Sequence, residues 1–179
     1  WLVKATRPDQ VLRIFQTHRE GFDAVNLSTA WTQLSRTARA FKAEERASFA
    51  LAHGSALRSL EDDVTGHLDS FGPRQLANVA HAAARLPFGP AKEVLRAISG
   101  LDLSPGDDYR PQELASLAWG FAKAGVPAPE VFRRVEAAAT PRLSQFADTE
   151  LAMLAWAFAA DGAAREPWAG ALFEGIANE

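Results

Sequence analysis

The sequence predicts an all-α protein, an α-solenoid of about four stacked helical hairpins with a period of ~38 residues. Three observations carry this expectation. First, alanine is plentiful, 47% of the chain is hydrophobic, and there is one tyrosine, a composition that favours helix over strand. Second, PQELASLAWGFAKAG (residues 111–125) sets Leu114, Leu117, Ala118, Phe121 and Ala122 at offsets 0, 3, 4, 7 and 8, one face of a 3.6-residue helix. Third, that register recurs. Leu151, Leu154, Ala155, Phe158 and Ala159 repeat it, as do Leu76, Val79, Ala80, Ala83 and Ala84, and more loosely Leu27, Ala30, Trp31, Leu34 and Ser35.

The leading leucines Leu27, Leu76, Leu114 and Leu151 lie 49, 38 and 37 residues apart, a spacing suited to helix pairs. Five residues before each stands an aromatic: Phe22, Phe71, Tyr109 and Phe146. One place after each stands a small residue (Ser28, Ala77, Ala115, Ala152), which suits close helix stacking. The repeats span about 22–70, 71–108, 109–145 and 146–179, within one domain covering 1–179. A compact bundle is the alternative, but it has no need of matched registers.

In chain order, Pro8–Glu20 places Val11, Leu12, Phe15 and His18 at helical spacing and resembles the second helix of a hairpin whose first helix is missing. The first repeat's leading helix spans about 24–38. An insertion follows, in which Phe41, Phe49 and Ala52 suit an extra short helix. A further helix then carries Leu57, Leu60, Val64 and Leu68, with Ser55 as its N-cap. The second repeat has helices at about 73–86, opened by Gly72-Pro73, and 90–99. Leu101–Tyr109 is the most turn-rich stretch. Pro111 opens the third leading helix and Gly125 closes it; its follower spans about 129–139. The fourth repeat has Asp148 as its expected N-cap and a last helix over 166–178.

Composition bounds the function. With no cysteine there are neither disulfides nor thiolate metal sites. No apolar run approaches the roughly 20 residues needed to cross a bilayer, so no membrane partner is expected. The first residue is tryptophan, which suits a processed chain or an excerpt. The net charge of −3 divides into +3 over residues 1–100 and −6 over residues 101–179. This balance disfavours a generic phosphate binder and leaves room for a local basic stripe. No phosphate-binding glycine loop, metal-ligand spacing or nucleophile arrangement occurs; the sequence points to no enzyme, cofactor, metal or small-molecule substrate.

The segments PQELASLAWGFAKAG, DTELAMLAWAFAADG, RQLANVAHAAARL and VNLSTAWTQLSRTA resemble the helical repeats of organellar proteins. These are the octotricopeptide and heptatricopeptide repeats and those preceding RAP domains in FAST-kinase-like proteins. The resemblance covers nearly the whole chain, well in three repeats and loosely in the first. It implies paired helices, an organellar location (mitochondrion before plastid) and a role in RNA metabolism. That role is binding RNA, single-stranded or ribosomal, or serving as a structural subunit of a ribonucleoprotein such as the mitochondrial ribosome. A pure protein-interaction scaffold is the alternative. No RAP domain is recognisable, and His81 stands in the second repeat where the pattern has tryptophan.

Offsets 2 and 9 from the leading leucine lie opposite the core stripe. They hold Thr29 and Arg36, Asn78 and Arg85, Ser116 and Lys123, then Met153 and Ala160. A small polar group beside a cation, three times in register, suits pairing to a base edge and neutralising a phosphate. A solvated face with a cation near the helix C-terminus explains the same residues. Offset 5 holds Thr32, His81, Trp119 and Trp156, read as inter-hairpin packing in preference to base stacking. On the final helix Trp168, Leu172, Phe173 and Ile176 make an apolar stripe. With Met153 and Ala160 it marks the C-terminal end as a surface for a protein partner or further repeats.

Overall fold

A computed structural model describes residues 1–88, 91–103 and 109–179. Among these the chain is all-helical, with nine α-helices, several short 3-10 turns and no strand. They are α1 (Pro8–His18), α2 (Ala24–Ala38), α3 (Ala43–Gly66), α4 (Pro73–Ala83), α5 (Ala91–Ser99), α6 (Pro111–Ala124), α7 (Pro129–Ala139), α8 (Asp148–Asp161) and α9 (Gly170–Asn178). The four leading helices pack in chain order, α2 on α4, α4 on α6 and α6 on α8, and each also contacts its own follower. Helix α1 lies against α2 and α3, and α3 against α5. One continuous core runs the length of the chain, and Leu27, Leu76, Leu114 and Leu151 are all buried in it.

Local chemistry sets the helix starts. Asp23 caps α2, its carboxylate accepting from the backbone N–H of Asn26 at 2.8 Å. Helices α6 and α8 use a different device. The third residue's carboxylate, Glu113 or Glu150, accepts from the N–H of Arg110 or Ala147, both at 2.9 Å. Arginine and alanine offer no side-chain acceptor in return, so the third N–H turns to the cap residue's own carbonyl at 2.9 and 2.8 Å. Asp148 is therefore the first residue of α8 and Ala147 its cap, a correction to the sequence expectation.

Three of the aromatics that precede the leading leucines end a recurrent turn. Phe22, Phe71 and Phe146 each donate their N–H to the carbonyl three residues back, at 3.0, 3.0 and 2.9 Å, closing a 3-10 turn. Their extended backbone then redirects the chain into the next leading helix. At the other end of α6, Gly125 takes φ 61° and ψ 42°. The N–H of Val126 bonds back to Phe121 at 3.2 Å, burying Val126 against the core.

Several expected boundaries moved. The insertion and the helix after it run on as α3, two helices meeting at a kink where His53 has non-helical dihedrals (φ −119°, ψ 16°), so the expected pair is present, while Ser55 makes no cap. Its first half is anchored by an aromatic cluster: Phe41 and Phe49 meet at 5.4 Å, and Phe49 meets Phe88, beyond α4, at 5.1 Å. Helix α4 ends at Ala83, so Arg85 lies in the turn after it. Helix α9 begins at Gly170, because Pro167–Ala169 turns as a 3-10 segment. The centre of the Leu101–Tyr109 stretch, with Asp107 and Asp108, and Pro90 at the expected start of α5 lie outside the described residues.

Helices α4 and α6 approach closely at Gly120. A Cβ there would stand 2.6 Å from the carbonyl oxygen of Ala80 and 3.1 Å from the nitrogen of His81, both backbone atoms of α4. The equivalent places on α4 and α8 hold Ala82 and Ala157, both buried. Backbone cannot yield as a side-chain tip can, so Gly120→Ala has to push α6 off α4. Its expected cost of about 1–3 kcal/mol outweighs the ~1 kcal/mol helix-propensity gain of alanine. Gly66, with nothing within 4 Å of its Cβ position, is the control. Urea titration followed by circular dichroism should show Gly120→Ala destabilised and Gly66→Ala neutral or stabilised. By the same measurement Leu114→Ala, which empties a fully buried site, should cost about 2–5 kcal/mol.

Candidate nucleic-acid interface

Each leading helix has four sides. Its leucine stripe faces the core, and one side faces solvent; in α4 and α6 one flank meets the preceding leading helix and the other the following one, whereas α2 and α8 each meet one such neighbour. At about 100° per residue the solvent side is set by offsets 2, 5 and 9. Asn78, Arg85 and Lys123 are exposed on this side, and Ser116 is half-buried. Thr29 and Arg36 are used differently. Arg36 reaches back to the carbonyl of Val3 at 3.4 Å, while Gln33 beside it gives its amide to the carbonyl of Ala5 at 2.5 Å. Both bonds fasten the N-terminal segment to α2. Thr29 lines an open groove of about 1010 Å³ with Trp1, Ile14, His18, Phe22 and Asn26. The six polar and basic residues thus divide into four on the outer side of α4 and α6 and two at the N-terminal edge.

The offset-5 column joins them. The rings of His81 and Trp119 lie 4.8 Å apart at 34°, and those of Trp119 and Trp156 lie 6.2 Å apart at 37°. Successive hairpins are therefore linked by an aromatic ladder along their outer edge. The Arg85 guanidinium stands 6.0 Å from the centre of the Trp119 ring, from the turn after α4. Lys123 follows Trp119 by four residues, on the same side of α6. Trp119 is half-buried, whereas Trp156, with no neighbour beyond it, is 44% exposed. The ladder serves packing, as the sequence reading favoured, and it also leaves aromatic surface beside cations.

Electrostatics on this side are positive and uncompensated. Arg74, Arg85 and Lys123 are exposed and form no ion pair with a described residue. The nearby carboxylates Glu113 and Glu150 are committed to their helix starts. Burial, and then the positive charge of Arg85, hold the His81 imidazole below its ordinary pKa. Other cations serve the scaffold. Arg19 grips Asp63 with two bonds of 2.8 and 2.6 Å, and Arg134 meets Asp102 at 3.0 Å. Among the described residues no group of His, Cys, Asp or Glu is arranged to hold a metal ion, and no helix is long and apolar enough to cross a membrane.

The C-terminal candidates separate into two sets. Trp168 and Phe173 meet Phe158 edge-on at 6.2 and 6.4 Å, and Ile176 and Met153 pack partly against the same core. Arg133 covers the Trp168 ring at 5.9 Å. The apolar stripe, divided between the 3-10 segment that holds Trp168 and the last helix, is thus largely spent on its own repeat through Phe158. Ala160 is exposed, as are Ala152, Trp156 and Ala159. The repeat pattern does not separate Ala152 from its buried counterparts Ser28, Ala77 and Ala115, because nothing in it tells which copy lacks a neighbour.

Searches against protein-family models, curated proteins and solved structures find no match to this chain.

The depressed pKa of His81 gives a signed expectation. The folded chain resists protonation while the unfolded chain takes it up. Stability from this group is therefore intact above the ordinary imidazole value of ~6.5 and falls as pH drops through it. Denaturation curves between pH 8 and 5 should show His81→Gln losing less stability on acidification than the parent chain. Equal losses would remove His81 as the titrating group.

Proposed function

We propose that this chain is an organellar RNA-associated helical-repeat protein, an α-solenoid with a ~38-residue repeat. On this reading it binds RNA through the outer side of its leading helices, alone or within a ribonucleoprotein such as the mitochondrial ribosome. The observation that carries the reading is the ladder of His81, Trp119 and Trp156 with Arg85 against Trp119 and Lys123 alongside. Stacking surface supplies sequence-tolerant contact with unpaired bases, and flanking cations neutralise phosphates. Asn78 and Ser116, on the same side, bring amide and hydroxyl groups able to meet a base edge. The solenoid itself is supported by the serial packing of α2, α4, α6 and α8 and by the recurrent 3-10 turn before α2, α4 and α8. The organellar location rests on the resemblance of the repeats.

The second reading, a scaffold that binds only protein, is favoured by one specific feature, the uncovered apolar flank of α8. The two readings part in a binding assay. With a single-stranded RNA of ~20 nucleotides, Arg85→Ala/Lys123→Ala should weaken binding and flatten the logarithmic salt dependence by about 1.4, near 0.7 per phosphate contact. Trp156→Ala should cost about 1–3 kcal/mol if a base stacks there. Fluorescence anisotropy over a series of salt concentrations measures both. Unchanged affinity and slope in the two variants would exclude this face as an RNA site and leave the scaffold.

A further inference from the structure

The first repeat carries an insertion that the second and third lack. Leu27 and Leu76 lie 49 residues apart, whereas Leu76 and Leu114 lie 38 apart. The 11 extra residues match the first half of α3, from Ala43 to the kink at His53. None of these residues is fully buried, and Leu51 among them is 89% exposed. This half-helix is an arm that fills no core position, so packing alone does not account for it.

Ring contacts fix where the arm lies. Phe41, at its base, and Phe49 meet Phe88 at 6.3 and 5.1 Å, and Phe49 meets His53 at 4.4 Å. Phe88 belongs to the turn after α4, and Arg85 stands in that same turn. The arm therefore lies along the edge from which Arg85 covers Trp119, with Lys123 one helical turn past that ring. Aromatic surface and cations continue from the ladder, through Arg85 and Phe88, onto the arm.

Charge distinguishes this segment. Residues 39–58 hold four basic side chains, Arg39, Lys42, Arg46 and Arg58, against two acidic ones, Glu44 and Glu45. Arg39, Lys42 and Arg58 are exposed, and none forms an ion pair with a described residue. Arg46 is positioned by its Nε–H, which donates to the Phe41 carbonyl at 2.9 Å. Glu45 is committed to the helix start, accepting from the N–H of Lys42 at 2.6 Å. An open groove of about 470 Å³ runs over Phe41, Phe49 and Ala52, with Glu44 on its lining.

We propose that the arm extends the RNA path of the outer side past α4. Phosphates of a single strand meet Arg39, Lys42 and Arg46, and an unpaired base lies on Phe41 and Phe49 in the groove. The proposal rests on the RNA reading above. Charge sets the direction of the path, because the cations give out toward α8, which contains no lysine or arginine. The rings set the class of ligand, since a single strand offers base faces that a duplex keeps stacked. Glu44 disfavours a phosphate over the groove but accepts from the exocyclic amine of a base. The arm also gives the first repeat the free cations it otherwise lacks, as Arg36 is bonded to the carbonyl of Val3.

The test uses the full chain and the same single-stranded RNA. Arg39→Ala/Lys42→Ala should weaken binding about fivefold at low salt and flatten the logarithmic salt dependence by about 1.4, near 0.7 per phosphate contact. Both side chains are exposed and the N–H of Lys42 is retained, so the urea midpoint should not move. Arg110→Ala/Arg165→Ala removes the same charge from exposed sites off this edge and should change neither quantity. Thiouridine placed at one end of the RNA or the other should crosslink, from one of the two ends, to the peptide holding Phe41 and Phe49. If Arg85→Ala/Lys123→Ala weakens binding while the arm variant does not, the arm proposal is overturned and the outer-side reading stands. Equal losses in the arm variant and the control also overturn it, because net charge then explains the effect. Failure of the parent chain to bind RNA removes both readings.

Discussion

The structure depends on how closely its leading helices approach one another. Where α6 crosses α4, a missing Cβ at Gly120 and the alanines Ala77 and Ala80 let two backbones meet almost directly. Small residues at a crossing shorten the interaxial distance and increase dispersion contact along both helices. The larger side chains are displaced to the two rims. Leucine and phenylalanine go inward, where Leu117, Phe121, Leu154 and Phe158 fill the space between leading and following helices. Histidine and tryptophan go outward and form the ladder.

That division separates the sides of one helix that packing fixes from the side it leaves open. The side facing the followers is fixed by volume, and any change there opens a cavity or forces a shift. The outer side is fixed only at position five, where the ring must meet its neighbours. Positions two and nine are free to carry polar or basic groups. Arg85 shows how the two sides are linked. Early termination of α4 at Ala83 places its guanidinium over Trp119 of the next hairpin, and the same charge adds to the burial that keeps His81 neutral. Packing and surface electrostatics are therefore connected through the ladder.

The ends of the helix series are decided by other means. At the N-terminal edge two side-chain bonds tie a short segment to α2, which removes Arg36 from the set of free cations. At the C-terminal edge the last helix turns inward, and Trp168 and Phe173 close the repeat's own core against Phe158. The apolar surface that remains belongs to α8 and not to α9.

The sequence by itself determined the helices and their order. The leucine stripes, the aromatic five places earlier, Pro111 at a start and Gly125 at an end are local signals, each readable because backbone geometry and hydrogen bonding act over a few residues. The leading helices α2 and α6, and the burial of Leu27, Leu76, Leu114 and Leu151, were legible on those grounds. Tertiary structure decided what each repeated residue faces. Ala77 and Ala152 occupy the same register, yet one is buried and the other exposed, because only contact with a following helix distinguishes them. Arg36 and Arg85 likewise share a register, but one binds a carbonyl of its own chain and the other covers an indole. Such differences arise between residues far apart in the chain, and a local pattern repeated four times contains no record of which copy stands at the edge.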